Sequence, residues 1–310
     1  MQLKLIRNNK AINILDKVGN LAYSDSEETA GVEFSFDYEG ARNGDIIVFN
    51  DGKNEVFRGI VVNVKFDNGS CKGYDFSWYL KKSETIIQYK NVSADKAIRR
   101  LLDRFNVPVG TIPALKTQIK KIYKDKVVYD IIIDILELVH KETKRKYKIE
   151  MAKGKFCIVK SDGVKIKPTF VDQYGKKHYS YKCWSINGER TIEELKNEVI
   201  IAGTSDKAKQ IKAVAKSSSS IKKYGKVSVV ETIENTNNAK ARNAAVNKLK
   251  ALNKERTKFS IDMLGGGNVR SGRLIEVNEP KYKLKGFYVV KNANHRYSNG
   301  VLYTTCEMEG

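Results

Sequence analysis

The sequence predicts an α+β chain in which two related β-barrel units flank an inserted α+β module. Three observations carry that expectation. Residues 1–80 hold short alternating or β-branched runs that stop at turn signals about every 8–12 residues, as in small barrels and sandwiches. After Tyr89 the apolar spacing changes from two to three and four, the helical period. A Gly-led pair of strands near the start of the chain recurs near its end.

Taken in order, Val32-Glu33-Phe34-Ser35-Phe36 alternates apolar and polar, which turns one face inward. Asp45-Ile46-Ile47-Val48-Phe49 is β-branched and stops at Asn50-Asp51-Gly52, a turn signal. Glu55 to Phe66 reads as the next strand, ending at Asp67-Asn68-Gly69, and Ser70 to Phe76 as another. Ser93 then offers an N-cap, with Ala97, Leu101, Leu102 and Phe105 at helical spacing and Pro108 as the stop. A second helix is expected over about Lys126 to Thr143, where Val127, Val128, Ile131, Ile132, Ile135, Leu136 and Val139 fill one wide stripe. Lys146 to Glu150 and Lys155 to Val159 make a hairpin around Ala152-Lys153-Gly154. Strands return at Asn197–Ala202, Gln210–Ala215 and Lys226–Thr232, with a Ser run at 217–220 too closely flanked to separate domains. An amphipathic helix is expected over about Asn238 to Glu255. The chain closes in strands near Phe259–Asp262, Gly272–Val277, Gly286–Lys291 and Leu302–Met308. The expected division is 1–88 for the first barrel, 89–190 for the inserted module and 191–310 for the second barrel with its helix.

Composition narrows the function. The 310 residues are 41% hydrophobic, enough for a sizeable core, and only 4 are proline. No apolar run approaches the roughly 18 residues of a membrane span, so no membrane anchoring is expected. The opening Met1-Gln2-Leu3-Lys4-Leu5-Ile6-Arg7 has no secretory pattern, which points to synthesis and assembly in a cytoplasm. Cys71, Cys157, Cys183 and Cys306 are too dispersed for a zinc knuckle or a disulfide framework. His178 and Cys183 are the closest mixed pair, with no second pair to complete a metal set. No metal or cofactor is therefore expected. Gly265-Gly266-Gly267 lacks the Lys-Ser/Thr of a phosphate loop and reads as a turn.

The 57 Lys and Arg against 36 Asp and Glu give +21. That invites a nucleic-acid partner, because clustered cations release counterions from phosphate. The charge is not one block. Residues 1–80 carry 9 basic and 12 acidic side chains (net −3), and residues 81–160 carry 20 and 9 (net +11). Residues 161–235 stand at +5 and 236–310 at +8. Lys120-Lys121 and Lys144-Arg145-Lys146 lie beside apolar residues and read as solvated faces. An acidic protein partner would ask for the same pattern. A cell-wall hydrolase is the remaining alternative, but no carboxylate pair or zinc set supports one.

The repeat aligns Gly44-Asp45-Ile46-Ile47-Val48-Phe49 and Gly59-Ile60-Val61-Val62 with Gly272-Arg273-Leu274-Ile275-Glu276-Val277 and Gly286-Phe287-Tyr288-Val289. The two glycines lie 15 residues apart in the first copy and 14 in the second.

With the repeat in view, Ser220-Ile221-Lys222-Lys223-Tyr224-Gly225 resembles the SIxxYG segment of phage late control D-type and PBSX-element-type tail proteins. The Ala-rich stretch Ala239 to Leu252, the Gly272 strand, and Gly286-Phe287-Tyr288-Val289 with His295 follow in the order of that family. Gly44-Asp45, Gly59 and Ser93-Ala94-Asp95 extend the resemblance into the first half; residues 161–190 match least. The family comprises baseplate hub proteins of contractile tails, in phages and phage-tail-like bacteriocins. The resemblance implies a homotrimer with two tube-like β-barrels per subunit. Such a trimer makes a pseudo-sixfold ring that adapts a sixfold tail tube protein to a threefold central spike protein. It also implies contacts with other baseplate and wedge proteins, possible non-specific passage of DNA, residence in a tail or tail-like particle, and no catalytic residues. His295 matches the family's late histidine and is expected to be structural.

Overall fold

The computed structural model describes residues 1–26, 31–161, 164–166, 182–204, 210–233 and 237–310. In chain order the first strands are β1 (Gln2–Arg7), β2 (Lys10–Asn13), β3 (Gly19–Ser26), β4 (Val32–Asp37), β5 (Ile46–Asp51), β6 (Asn54–Val64) and β7 (Ser70–Asp75). Then come α1 (Ser77–Lys81), β8 (Glu84–Ser93), α2 (Ala94–Arg104), β9 (Gln118–Val127), α3 (Val128–Thr143), β10 (Tyr147–Ala152) and β11 (Lys155–Lys160). They are followed by β12 (Lys165–Ile166), β13 (Lys182–Thr191), β14 (Glu198–Thr204), β15 (Gln210–Lys216), α4 (Ser218–Tyr224), β16 (Ser228–Ile233) and α5 (Asn238–Leu252). The last are β17 (Arg256–Leu264), β18 (Leu274–Glu279), β19 (Leu284–Ser298) and β20 (Val301–Glu309). Among the described residues no helix is long and apolar enough to cross a membrane.

The chain divides into two compact units. One comprises 1–187 with 260–309; the other comprises 188–259 with Gly310. The boundary passes through β13 and β17.

In the larger unit most strands join one mostly antiparallel sheet, in the order β13-β17-β20-β19-β3-β4-β7-β6-β5-β1-β2. β18 lies on β19, and β12 runs parallel to β18. The start and end of the chain therefore share a ladder, with His295 of β19 opposite Tyr23 of β3. The β-rich character expected from the sequence is present. The strand pairs of the described residues form an open path, with no pair that closes a barrel. Leu3, Phe34, Phe36, Phe49, Phe57 and Val61 build the first core, and Leu302 of β20 joins it. Rings of Phe34 and Phe57 stack at 5.0 Å.

A second core lies over residues 80–158. Every stripe residue of α3 from Val128 to Val139 named above is buried, as are Ala97, Ile98, Leu101 and Leu102 of α2. Helix α2 stops at Arg104, ahead of Pro108, whose ring would clash with the preceding turn. Helix α3 ends on Lys144 at φ 60°, whose N–H bonds to the His140 carbonyl at 2.8 Å. Strand β9 is not apparent from the sequence: three lysines mask it. Pairing with β8 buries Ile119 and Tyr123 and leaves Lys120, Lys121 and Lys124 exposed.

In the smaller unit β15-β14-β16 form a sheet of three strands, with β14 and β16 parallel. Ala241 and Ala245 of α5 let the helix sit close on Val199, Ile201, Ala213 and Ala215. The Ser run, too closely flanked in the sequence to separate domains, opens a helix. Ser217 caps α4, its hydroxyl accepting the Ser220 N–H at 3.4 Å, and Gly225 ends it at φ 80°.

The repeat is visible in the backbone. The Gly44 N–H donates to the Val61 carbonyl at 2.8 Å, and the Val61 N–H returns to the Asp45 carbonyl at 2.9 Å. The Gly272 N–H donates to the Val290 carbonyl at 2.8 Å, and the Val290 N–H returns to the Arg273 carbonyl at 2.9 Å. Gly44 and Gly272 adopt φ of 93° and 75°, which only glycine takes without strain. The second glycines are not equivalent. Gly59 lies opposite Ile47, the place that Tyr288 takes opposite Ile275, whereas Gly286 lies opposite Val277.

Candidate assembly site

A concentration of buried charge gathers residues far apart in sequence. Asp25 of β3 is buried, and the Lys148 ammonium from β10 reaches its two oxygens at 3.1 and 3.2 Å. The Ser271 N–H and hydroxyl donate to the same carboxylate at 3.2 and 2.9 Å, and Lys148 also donates to the Ser271 carbonyl at 2.9 Å. Arg270 comes within 4.0 Å of Asp25 and donates to the Val56 carbonyl, while Arg273 holds Glu150 at 2.8 Å. A carboxylate taken from water needs this many partners. Losing one partner of such a pair costs about 3–5 kcal/mol, because a bare charge stays buried. The network ties the first strands, the β10–β11 hairpin and the turn before β18 into one body. No sequence signal marks it, since Asp25, Lys148 and Ser271 are separated by 123 residues at each step.

Beside the network runs a groove of about 550 Å³, lined among others by Asp51, Glu55, Glu150, Lys153, Arg270 and Arg273. Arg58 holds Glu55 at 2.7 Å and Arg273 holds Glu150, so two of its three carboxylates are already neutralised. The Gly265–Gly267 cluster is a turn at the groove's edge. The Gly265 N–H donates to the Leu302 carbonyl, and the Gly266 carbonyl accepts the Val269 N–H, both at 2.7 Å.

His295 is buried and stacked on Tyr23 with centroids 4.1 Å apart. Its Nε2 lies 3.2 Å from the Val269 carbonyl and its Nδ1 2.8 Å from the Thr304 hydroxyl. Burial, then the nearby Arg270 cation, lower its pKa to about 3. The ring is a neutral packing element in the same body as the network. Cys71, Cys157 and Cys306 are buried. His178 and the side chain of Cys183 lie outside the described residues. Among the described residues no three His, Cys, Asp or Glu side chains gather as a metal site.

Among the described residues β2, at the end of the ladder, pairs with one strand, and all four of its residues are exposed. It is short and begins with Lys10, features that discourage indiscriminate edge pairing while leaving backbone groups available to a specific partner.

Among curated proteins, the chain is 29% identical over 282 residues to the uncharacterized protein YqbQ of Bacillus subtilis (strain 168), covering 87% of this chain and 82% of that protein. It is 30% identical over 271 residues to the phage-like element PBSX protein XkdQ of the same strain, covering 84% and 79%. Among solved structures, the tail protein from Neisseria meningitidis MC58 shares the fold, with a TM-score of 0.68 at 12% identity over 100% of this chain and 96% of that one. The PBSX-type resemblance read from the sequence is thus borne out, and with the family pattern matching residues 21–308 the chain belongs to the YQBQ-like family.

Proposed function

We propose that this protein is a structural hub of a contractile-tail baseplate or tail-like particle. It acts as a homotrimer whose two related β units per subunit present six similar faces to a sixfold tail tube and a threefold face to a central spike. The observation that carries this reading is the doubled hairpin, with the same glycine clamp at Gly44–Val61 and Gly272–Val290. Two copies of one unit in each of three chains give pseudo-sixfold symmetry by the closure rules of cyclic oligomers. The likeness to XkdQ, by name a protein of a phage-like element, and the shared fold of a tail protein support it.

On this reading residues 1–88 supply one β unit and the strands after 260 the other. Residues 89–187 are an insertion between them, and 188–259 a second compact insertion. The protein works by transmitting force and leaving an axial passage when the spike departs, with no bond made or broken. Other baseplate and wedge proteins would meet its outer surface. The test is mass measurement and electron-microscopic class averaging of the purified chain, alone and with candidate tube and spike proteins. Threefold rings that bind both are expected. A chain that stays monomeric with every partner overturns the proposal.

A further inference from the structure

We propose that the outer face of the β8–β9 ribbon docks an extended acidic segment of another protein, one that presents a carboxylate, an aliphatic side chain and a second carboxylate at alternate positions. The ribbon buries Thr85, Tyr89, Ile119 and Tyr123, the last three in the core shared with α2 and α3. The alternate residues point the other way and are all exposed: Ile86, Gln88 and Lys90 on β8, Lys120, Ile122 and Lys124 on β9. Ile86 and Ile122 are 59% and 51% exposed, and Gln88 lies opposite Ile122. The face is thus a small aliphatic centre set among lysines.

Charge sets the sign of the occupant. Residues 90–126 carry 10 basic and 3 acidic side chains. Lys121 turns to Asp134 at 2.8 Å, but among the described residues no carboxylate pairs with Lys90, Lys120 or Lys124. Lys90 and Asn91 share a bulge opposite Lys120. Like charges opposed across a strand pair cost it stability, and a bridging carboxylate relieves that cost. The ribbon's own carboxylates lie toward its other end, Glu84 opposite Val127 and Asp125 in the bulge opposite Ile86. The pull on an anion is therefore strongest at Lys90 and Lys120.

Spacing sets its shape. Lys120, Ile122 and Lys124 are alternate residues of one strand, about 6.6 Å apart at each step. Same-face side chains of a second extended chain have the same step, so carboxylate, aliphatic and carboxylate fall in register with lysine, isoleucine and lysine. The isoleucines select a protein over a phosphate backbone, which gains little from aliphatic contact. A second copy is not the occupant. Two such faces repel each other, and no described strand of this chain carries carboxylates at i and i+4 around an aliphatic residue at i+2.

The docking face stands independently of the hub reading. Its test uses the whole chain and a fluorescent probe peptide, Glu-Ser-Val-Ser-Glu-Ser-Val-Ser-Glu, followed by anisotropy at low salt, with duplex DNA titrated in parallel. The peptide should bind. Lys120→Glu combined with Lys124→Glu should weaken it about tenfold or more, and Ile122→Ser about fivefold. A peptide with serine in place of both valines should lose about as much as Ile122→Ser does. Because the three side chains are exposed, these variants should keep the melting temperature, and Lys120→Glu alone should raise it slightly by removing the opposition to Lys90. Absence of peptide binding, or binding indifferent to Ile122→Ser, overturns the proposal. DNA binding tighter than that of the peptide, lost with the lysines and untouched by Ile122→Ser, overturns it as well and assigns the face to phosphate.

Discussion

His295 shows how a single buried residue sets a property of the whole fold. Its folded pKa of about 3 lies below the ordinary value of 6.5, because burial and Arg270 disfavour the imidazolium. A base whose folded pKa is depressed contributes its full stability above the unfolded value, and loses it as pH falls from 6.5 toward 3, since the unfolded chain binds the proton first. At about pH 4.5 this one group should remove roughly 2–3 kcal/mol relative to pH 7. Urea unfolding of the wild type and of His295→Gln at both pH values checks it. The variant should be less stable at pH 7 but lose less on acidification; parallel losses would mean that His295 does not titrate on unfolding. In the sequence His295 stood out only as the family's late histidine. Its burial is set by Tyr23 and Thr304, which the ladder brings to it from β3 and β20. Asp25, Lys148 and Ser271 had no such mark, because each becomes costly or useful only when the other two arrive.

Among the elements, the repeated hairpins separate what a glycine in the pattern means from what it does. A Cβ on Gly59 would lie 2.1 Å from the Tyr74 carbonyl oxygen and 2.6 Å from the Phe34 ring, so the neighbouring strand and the core must move. A Cβ on Gly286 would meet nothing within 4 Å, and its cost is the φ of 138° alone. Gly59→Ala should therefore destabilise by about 2–3 kcal/mol or more, Gly286→Ala by about 1 kcal/mol, as read from denaturation midpoints. Equal effects would contradict the register in which the two glycines are not equivalent. The sequence displayed the elements whose periodicity is strong: α2, α3, α5, the β10–β11 hairpin and the clamp at Gly44 and Gly272. It concealed those whose character comes from their surroundings. β9 is a strand because β8 is beside it, α4 is helical through its serine cap, and β6 ends at Val64, which turns Phe66 from the last residue of a strand into an exposed residue of a turn.

For the whole molecule, the uneven charge is the property that distinguishes an assembly protein from a nucleic-acid binder. The +21 total alone favours phosphate, but its division into −3 over residues 1–80 and +11 over 81–160 favours contact between copies. The two make opposite demands. Phosphate binding loses affinity steeply with salt and is weakened by any lysine removed, with no compensation elsewhere. A contact between an acidic segment and a basic segment can be broken at one side and repaired at the other. Reversing exposed carboxylates of residues 1–80, or exposed lysines of residues 81–160, should each weaken self-association about two- to threefold per exposed pair at low salt. Combined in one chain, the two reversals restore unlike charges between the segments and should recover most of the loss. At about 1 M salt, where charges are screened beyond roughly 3 Å, the three variants should converge on the wild type. Sedimentation across a salt series reads all four proteins, and a gel-shift titration with duplex DNA runs beside it. If the double variant is worse than either single one, and DNA binding tracks the lysine count with a steep salt slope, the basic surface serves phosphate. If the swap repairs association and leaves DNA binding weak, the charge serves to order the ring.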